Sequence, residues 1–88
     1  MNAARLSVLL LALDERDHLA ALLPTLTFAH EVVVVVDGRA PGAAAVEALA
    51  RDHGARTFVR PLDGFGPQRA FALAQCREPW VLWLDADE

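Results

Sequence analysis

The chain is 88 residues long, with 55% hydrophobic residues, 23% charged residues and a formal net charge of -4. This length allows one small domain at most, and the composition excludes intrinsic disorder, which combines low hydrophobicity with high net charge. The net charge is negative and the sequence has no basic stripe of the kind found in nucleic-acid-binding proteins, so we expect no nucleic-acid partner. No apolar run approaches the roughly 20 residues of a membrane span.

The chain has a single cysteine, Cys76. One cysteine cannot form an internal disulfide, which is typical of proteins in a reducing compartment and favours a cytoplasmic location. We interpret Cys76 as a small buried thiol on a helix, because a nucleophilic role needs a paired base and no histidine is obviously placed for one.

The first predicted strand is LSVLLLAL, residues 6–13. It is continuously apolar rather than alternating, which is typical of a strand covered on both faces. Asp14 is a candidate N-cap for the helix that follows, and leucines between positions 19 and 26 form an apolar stripe along that helix. Pro24 interrupts the stripe, so the helix is expected to end or kink near Leu23.

The second predicted strand is EVVVVVD, residues 31–37, where five consecutive valines favour a strand because β-branched side chains suit the pleat. The segment 38–42, GRAPG, breaks the pattern. Residues 43–54 then predict a helix that ends at Gly54.

The last third of the chain predicts a short third strand at residues 55–59, a Gly- and Pro-rich loop at 60–67, a helix at 68–76 and a fourth strand at 80–86. Pro67 fits the first turn of that helix. The order is β-α-β-α-β-α-β, and alternation of strands with helices predicts an α/β fold with an open parallel sheet.

Acidic residues follow all four predicted strands. In open α/β sheets, ligands bind outside the carboxyl ends of the strands, which lie at one edge. The acids at these four positions are Asp14 and Glu15, Asp37, Asp63, and the closing group Asp85, Asp87 and Glu88. The sequence therefore predicts an acidic ligand site at one edge of the sheet.

Simpler explanations exist for some of these acids. Capping of a helix explains Asp14 as well as ligand contact does, and a turn role before Gly64 is favoured for Asp63. A functional role is favoured for Asp37, since a loop follows it. Capping does not explain Asp85 and Asp87 together, because two close carboxylates repel unless a cation or hydrogen-bond donors lie between them. Such oxygen ligands suit Mg²⁺ or Mn²⁺.

No glycine-rich phosphate loop of either common pattern is present in the sequence. Bound phosphates would then be held through a metal or by a basic side chain, for which Arg69 beside the predicted 60–67 loop is the best-placed candidate. A solvated surface arginine explains Arg69 equally well. The three histidines have no ligand spacing and are interpreted as structural or surface residues: His18, His30 and His53.

Three stretches of the sequence carry a family resemblance: FAHEVVVVVD, RPLDGFGPQRAFAL and WVLWLDADE. The second is the most specific and is similar to a segment of the form D-G-F-G-x-Q-[KR]-N-F-A-L, whereas the third contains a D-x-D element. Over residues 6–88 the chain resembles the N-terminal half of a family 2 glycosyltransferase of GT-A fold, of the lipopolysaccharide-core β-glucosyltransferase type. The resemblance implies that residues 1–88 form a single, partial nucleotide-diphospho-sugar-binding domain.

The resemblance also implies roles for the acids. Asp37 would contact the nucleotide base, Asp85 would lie near the ribose or sugar, and Asp87, with Asp85, would hold a divalent Mg or Mn ion that bridges the diphosphate. Asp14 and Glu15 occupy the place of the family's Asn-Glu, beside the nucleotide.

The partners that the resemblance implies are a nucleotide-sugar donor, with a UDP-sugar favoured, and a glycan or lipid-linked acceptor of the lipopolysaccharide core. A cytoplasmic enzyme with such an acceptor is expected at the inner face of the membrane, in peripheral association with it. The general base of an inverting member is expected beyond residue 88, so no catalytic base is assigned within this chain.

The chain departs from the family pattern at the donor pocket: the family's Asn is Asp14, the usual S-T-D-G-T loop is GRAPG at residues 38–42, and the Asn of N-F-A-L is Ala70. These changes keep open an alternative, a non-catalytic nucleotide- or metal-binding module. A third hypothesis, an acid-pair phosphatase, is disfavoured because such enzymes carry the acid pair after the first strand.

The fourth strand also carries a prediction about association. If it is interior in a larger sheet, this chain exposes a strand edge with apolar surface that includes Trp80 or Trp83. Exposed apolar edges invite pairing with another chain, so we predict a marginally stable or self-associating protein.

Overall fold

The computed structural model describes residues 5–12, 16–61 and 63–85, with the backbone alone for Phe65 and Asp85. Strands and helices alternate along these ranges. The elements are β1 (Leu6–Ala12), α1 (Arg16–Leu22), a 3-10 helix (Leu23–Leu26), β2 (Glu31–Asp37), α2 (Ala43–Asp52), β3 (Arg56–Arg60), α3 (Phe65–Gln75) and β4 (Trp80–Asp85).

The four strands form one parallel sheet in the order β3-β2-β1-β4. At its centre, Leu10 of β1 pairs with Val34 of β2 on one side and with Leu84 of β4 on the other. The predicted α/β fold with an open parallel sheet is confirmed. Because all four strands run in the same direction, their carboxyl ends share one edge of the sheet.

Both faces of the sheet are covered, which explains why β1 and β2 read as continuous apolar runs. On one face, Val8, Leu10 and Val34 pack against α1 and α2, with Leu19 and Val46 as helical partners. On the other face, the core is smaller and its members pack against α3: Leu9, Val33, Val35 and Ala72, flanked by Leu11, Phe58, Phe71 and Cys76. Burial of each Val or Leu in such a core contributes about 1.5–3 kcal/mol.

The helix ends follow local chemistry. The α-helix α1 ends at Leu22, and Pro24 lies in the 3-10 helix that continues it, so the predicted break near Leu23 is confirmed. Helix α3 begins at Phe65, three residues before the predicted start, and the predicted 60–67 loop was too long. Gly66 and Pro67 are tolerated there because the first N–H groups of a helix have no intrahelical partner.

Cys76 was predicted to lie on a helix, and that placement was wrong by one residue. It follows the last residue of α3 in an extended conformation and is half-buried. Its thiol donates to the carbonyl of Ala72 (3.5 Å).

Strand β4 is an edge strand of the described sheet, and four of its large apolar side chains are exposed. Trp80 is 65% exposed, and Val81, Leu82 and Trp83 are each 38% exposed. The predicted exposure of an apolar strand edge is therefore confirmed. Within the described ranges, no helix is long and apolar enough to cross a membrane.

Candidate functional site

The carboxyl edge of the sheet brings residues of β2, β3 and α3 together. Asp37 ends β2 in register with Arg60, which ends β3. On the other side of the sheet, the backbone of Asp85 ends β4 in register with Leu11. Strands β3 and β4 are separated by three inter-strand spacings, roughly 14 Å, so the edge is a long platform rather than a single point.

Asp37 is buried, with 5% of its surface exposed, although it carries a carboxylate. Its Oδ1 accepts a hydrogen bond from the backbone N–H of Arg39 (3.0 Å), which closes a tight side-chain turn. The Arg39 guanidinium donates to both carboxylate oxygens, from Nε to Oδ1 and from Nη2 to Oδ2 (both 3.3 Å). The predicted functional acid is therefore also a structural turn residue.

The side chain of Arg39 is 60% exposed, whereas that of Asp37 is 7% exposed. The Arg39 guanidinium therefore reaches a buried carboxylate from the solvent side, while the backbone N–H of Arg39 orients that carboxylate.

Gln68 in the first turns of α3 is 2% exposed and was not singled out from the sequence. Its Oε1 accepts a hydrogen bond from Arg60 Nη1 (2.8 Å), and its Nε2 donates to the Arg60 carbonyl oxygen (3.4 Å). The Arg60 guanidinium also lies 5.0 Å from the centre of the Phe71 ring. The position of Gln68 within the DGFGPQ stretch was the signal that could have identified it.

Arg69, the predicted phosphate ligand, is exposed and follows Gln68 by one residue, a rotation of about 100° on a helix. Its guanidinium carbon lies 4.2 Å from the centre of the Trp83 ring in β4. Trp83 precedes Asp85 by two residues, so Arg69 is held beside the end of β4. Helix α3 thus directs one polar side chain toward β3 and the next toward β4.

Asp63 is exposed and precedes Gly64, whose φ of 135° is a conformation that glycine adopts at little cost. Its Oδ2 lies 3.6 Å from Arg60 Nη2, a local i, i+3 ion pair in the segment before α3. This placement agrees with the turn role that was favoured for Asp63.

Several predicted site residues lie outside the described residues: Asp14, Glu15, Asp87 and Glu88. For Asp85, the structure gives the backbone position at the end of β4. Among the described residues, no group of three or more His, Cys, Asp or Glu side chains is arranged to hold a metal ion. The metal-binding role of Asp85 and Asp87 therefore stays a prediction.

The three histidines take surface or structural positions. His18 and His53 are exposed, and the Nδ1 of exposed His30 accepts a hydrogen bond from the backbone N–H of Leu6 (3.1 Å).

The opposite, amino-terminal edge of the sheet holds a polar network that sequence reasoning missed. The Glu31 carboxylate accepts hydrogen bonds from Ser7 Oγ (2.5 Å), the backbone N–H of Arg77 (2.5 Å) and Arg56 Nη1 (3.0 Å). Burial alone would raise the pKa of Glu31, but these hydrogen bonds and the charge of Arg56 together lower it below its ordinary value. Arg56 Nη1 also donates to the carbonyl of Gln75 (2.7 Å), so the network ties the end of α3 to β1, β2 and β3.

Cys76 lies next to this network. Burial raises the pKa of its thiol, and the negative charge of Glu31 raises it further. A thiol with a raised pKa is protonated at neutral pH and is a poor nucleophile. This agrees with the interpretation of Cys76 as a structural residue.

The chain resembles known proteins over almost its whole length. The family model described as Glycosyl transferase family 2 matches residues 7–88. Lipopolysaccharide core biosynthesis glycosyltransferase LpsC of Rhizobium meliloti (strain 1021) is 35% identical over 85 residues, which are 94% of this chain and 32% of that protein. An uncharacterized glycosyltransferase of Rickettsia felis (strain ATCC VR-1525 / URRWXCal2) is 29% identical over 84 residues, which are 96% of this chain and 29% of that protein.

No solved structure gives a significant match. The chain spans less than a third of the length of these two curated relatives. The parallel sheet and the family match agree on the nucleotide-binding half of the fold, and the family resemblance predicted from the three sequence stretches is confirmed. This chain belongs to glycosyl transferase family 2.

Proposed function

We propose that this chain forms the donor-binding half of a glycosyltransferase that transfers a sugar from a nucleotide diphosphate sugar to a glycan acceptor. The observation that carries the proposal is the carboxyl edge of a family 2 domain, where the buried Asp37 ends β2, the partly buried Arg60 ends β3 and the exposed Arg69 lies on α3. Ligands of open α/β sheets bind at this edge.

The nucleoside is proposed to lie at the β2 end of the platform. The base would displace the Arg39 side chain, and the Asp37 carboxylate would then accept hydrogen bonds from the N–H groups of the base. Arg69 supplies positive charge nearer to β4, where the diphosphate would lie. Asp14 and Glu15, which follow the β1 segment in the sequence, are proposed as further contacts to the nucleotide.

A divalent cation is proposed at the end of β4. The two acids there, Asp85 and Asp87, supply only carboxylate oxygens, the ligands that Mg²⁺ and Mn²⁺ prefer. When bound, such an ion would act as a Lewis acid that stabilises the negative charge of a departing nucleoside diphosphate. The protein's own residues, Asp37 and Arg69, would bind and orient the donor on either side.

The acceptor is proposed to be the lipopolysaccharide core or a related lipid-linked glycan, because LpsC, a lipopolysaccharide core biosynthesis glycosyltransferase, shares 35% identity with this chain. A UDP-sugar is the donor we favour. Peripheral association with the inner face of the membrane follows as a proposal from such an acceptor, and fractionation of cells that express the tagged chain would test it.

Calorimetry with UDP-glucose, in the presence and absence of Mn²⁺, tests the donor site. We expect binding that Mn²⁺ strengthens, and we expect Asp87→Ala to remove the Mn²⁺-dependent part. Asp52→Ala, which changes an exposed acid at the end of α2, serves as the matched control and is expected to bind like the unsubstituted chain. Binding that Asp87→Ala leaves intact would contradict the metal assignment, and no binding at all would favour the alternative of a module without donor function.

A further inference from the structure

Both polar atoms of the buried Gln68 amide form hydrogen bonds with the same residue, Arg60. Its Oε1 accepts from the Arg60 guanidinium (2.8 Å), and its Nε2 donates to the Arg60 backbone carbonyl (3.4 Å). A buried amide needs partners for both ends, and a rotated amide would face the guanidinium with a donor. The two contacts therefore fix the side chain and the backbone of Arg60 at the same time.

The Arg60 carbonyl also connects this pair to the Asp37 turn. The backbone N–H of Gly38 donates to it at 3.0 Å, and Gly38 directly follows Asp37. A Cβ on Gly38 would lie 3.1 Å from Val59 Cγ1, so the turn passes close to β3. Two donors, one from α3 and one from the turn after β2, thus converge on a single carbonyl oxygen, which has a lone pair for each.

The guanidinium of Arg60 is supported on a second side by the ring of Phe71, whose centre lies 5.0 Å away. A side chain that is already ordered loses little conformational entropy when it contacts a ligand. Because β3 and β4 are three strand spacings apart, this cation lies at the Asp37 end of the platform rather than at the end near Asp85.

We infer that Gln68 is a positioning residue for the nucleoside end of the donor site, acting through Arg60 on the Asp37 turn. This inference rests on the proposed donor function. Arg60 ends β3 in register with Asp37 at the end of β2. A guanidinium has only donors and a carboxylate only acceptors, so the two residues together suit a base that presents a carbonyl acceptor next to an N–H donor, the edge that uracil offers.

The test compares UMP and UDP binding by calorimetry, with and without Mn²⁺, for Gln68→Leu and Arg60→Met. Each variant is expected to weaken UMP and UDP by a similar factor, about five- to tenfold, and to leave the enhancement by Mn²⁺ unchanged. The affinity of the double variant for each nucleotide is expected to lie within about twofold of that of Arg60→Met, because Gln68 acts through Arg60. Gln75→Leu near the end of α3 is the matched control and is expected to bind like the unsubstituted chain.

Hydrogen exchange without ligand distinguishes a positioning role from a general loss of stability. In Gln68→Leu, exchange of the Gly38 N–H should become faster. Exchange of the Trp80 N–H, which donates to the Arg5 carbonyl, should not change. Uniform acceleration at both amides, or additive losses in the double variant, would overturn the inference. Gln68→Glu retains an acceptor for the guanidinium and is expected to restore part of the affinity; affinity no better than that of Gln68→Leu would also overturn it.

The outcomes separate this inference from the proposed function. If the unsubstituted chain binds neither UMP nor UDP, the donor function fails, and the inference fails with it. If the unsubstituted chain binds UDP and Asp87→Ala removes the Mn²⁺ effect, while Gln68→Leu binds both nucleotides normally, the inference alone is wrong.

Discussion

The guanidinium carbon of Arg69 lies 4.2 Å from the centre of the Trp83 ring, which joins α3 to the edge strand β4. A cation over an indole ring is worth about 0.5–1 kcal/mol at an exposed site. This contact holds β4 against the helix at the end of the sheet where the donor diphosphate is proposed to lie. It therefore links the stability of the edge strand to the position of the candidate phosphate ligand.

We predict a coupling free energy of about 0.5–1 kcal/mol between Arg69→Met and Trp83→Leu in a double-mutant cycle, measured by urea unfolding. Trp80, three residues earlier in β4, provides the control. The cycle of Arg69→Met with Trp80→Leu is expected to give a coupling energy near zero. Equal coupling in the two cycles would show that the ring contact is not the cause.

The Glu31 network predicts acid sensitivity. Because the pKa of Glu31 is lowered on folding, the folded protein binds fewer protons at this group than the unfolded chain does. The stabilisation is present above the ordinary glutamate pKa of about 4.3 and is lost as the pH falls through the lower pKa of the folded state. Urea midpoints measured from pH 7 to pH 3 should fall less steeply below pH 4.3 for Glu31→Gln than for the unsubstituted chain.

Ser7→Ala removes one donor to the same carboxylate and is expected to give an acid dependence between those of the unsubstituted chain and Glu31→Gln. Identical slopes for all three proteins would mean that Glu31 does not couple folding to protons.

Core truncation should be severe in a domain of this size. Leu9 lies at the centre of the sheet and is fully buried on the α3 face. We expect Leu9→Ala to lower the free energy of unfolding by about 2–5 kcal/mol, a large share of the stability of a small domain. Val59→Ala, at an exposed position of β3, is the comparison and should cost less than about 1 kcal/mol. Thermal unfolding followed by circular dichroism would measure both.

The exposed edge of β4 predicts self-association. Exposed edge strands with apolar side chains tend to pair with strands of other chains, and a lysine on the edge strand opposes that pairing. We expect the chain to form concentration-dependent oligomers in sedimentation velocity experiments, and we expect Leu82→Lys to shift the population toward monomer. Phe28→Lys, at an exposed apolar position before β2, is the control that should change little. A monomer at all concentrations would contradict the prediction.

The amino-acid sequence by itself determined the element order, the parallel sheet and the family. The valines of β2 and the unbroken apolar run of β1 specify buried strands through local sterics and periodicity, which depend only on neighbouring residues. The end of α1 near Pro24 follows from the missing N–H of proline, which is also a local property. The parallel arrangement follows because a helix separates each strand from the next.

Only the tertiary structure decided which polar groups meet. Gln68 hydrogen-bonds to Arg60, and the Arg69 guanidinium packs on the Trp83 ring. Glu31 accepts hydrogen bonds from Ser7, Arg56 and Arg77, and Arg77 is 46 positions away in the chain. No local pattern encodes such partners, because each polar side chain satisfies its hydrogen bonds with whatever the packed helices and strands bring within reach. The acids after the strands could be identified from the sequence, whereas the hydrogen bonds between the buried Gln68 amide and Arg60 could not.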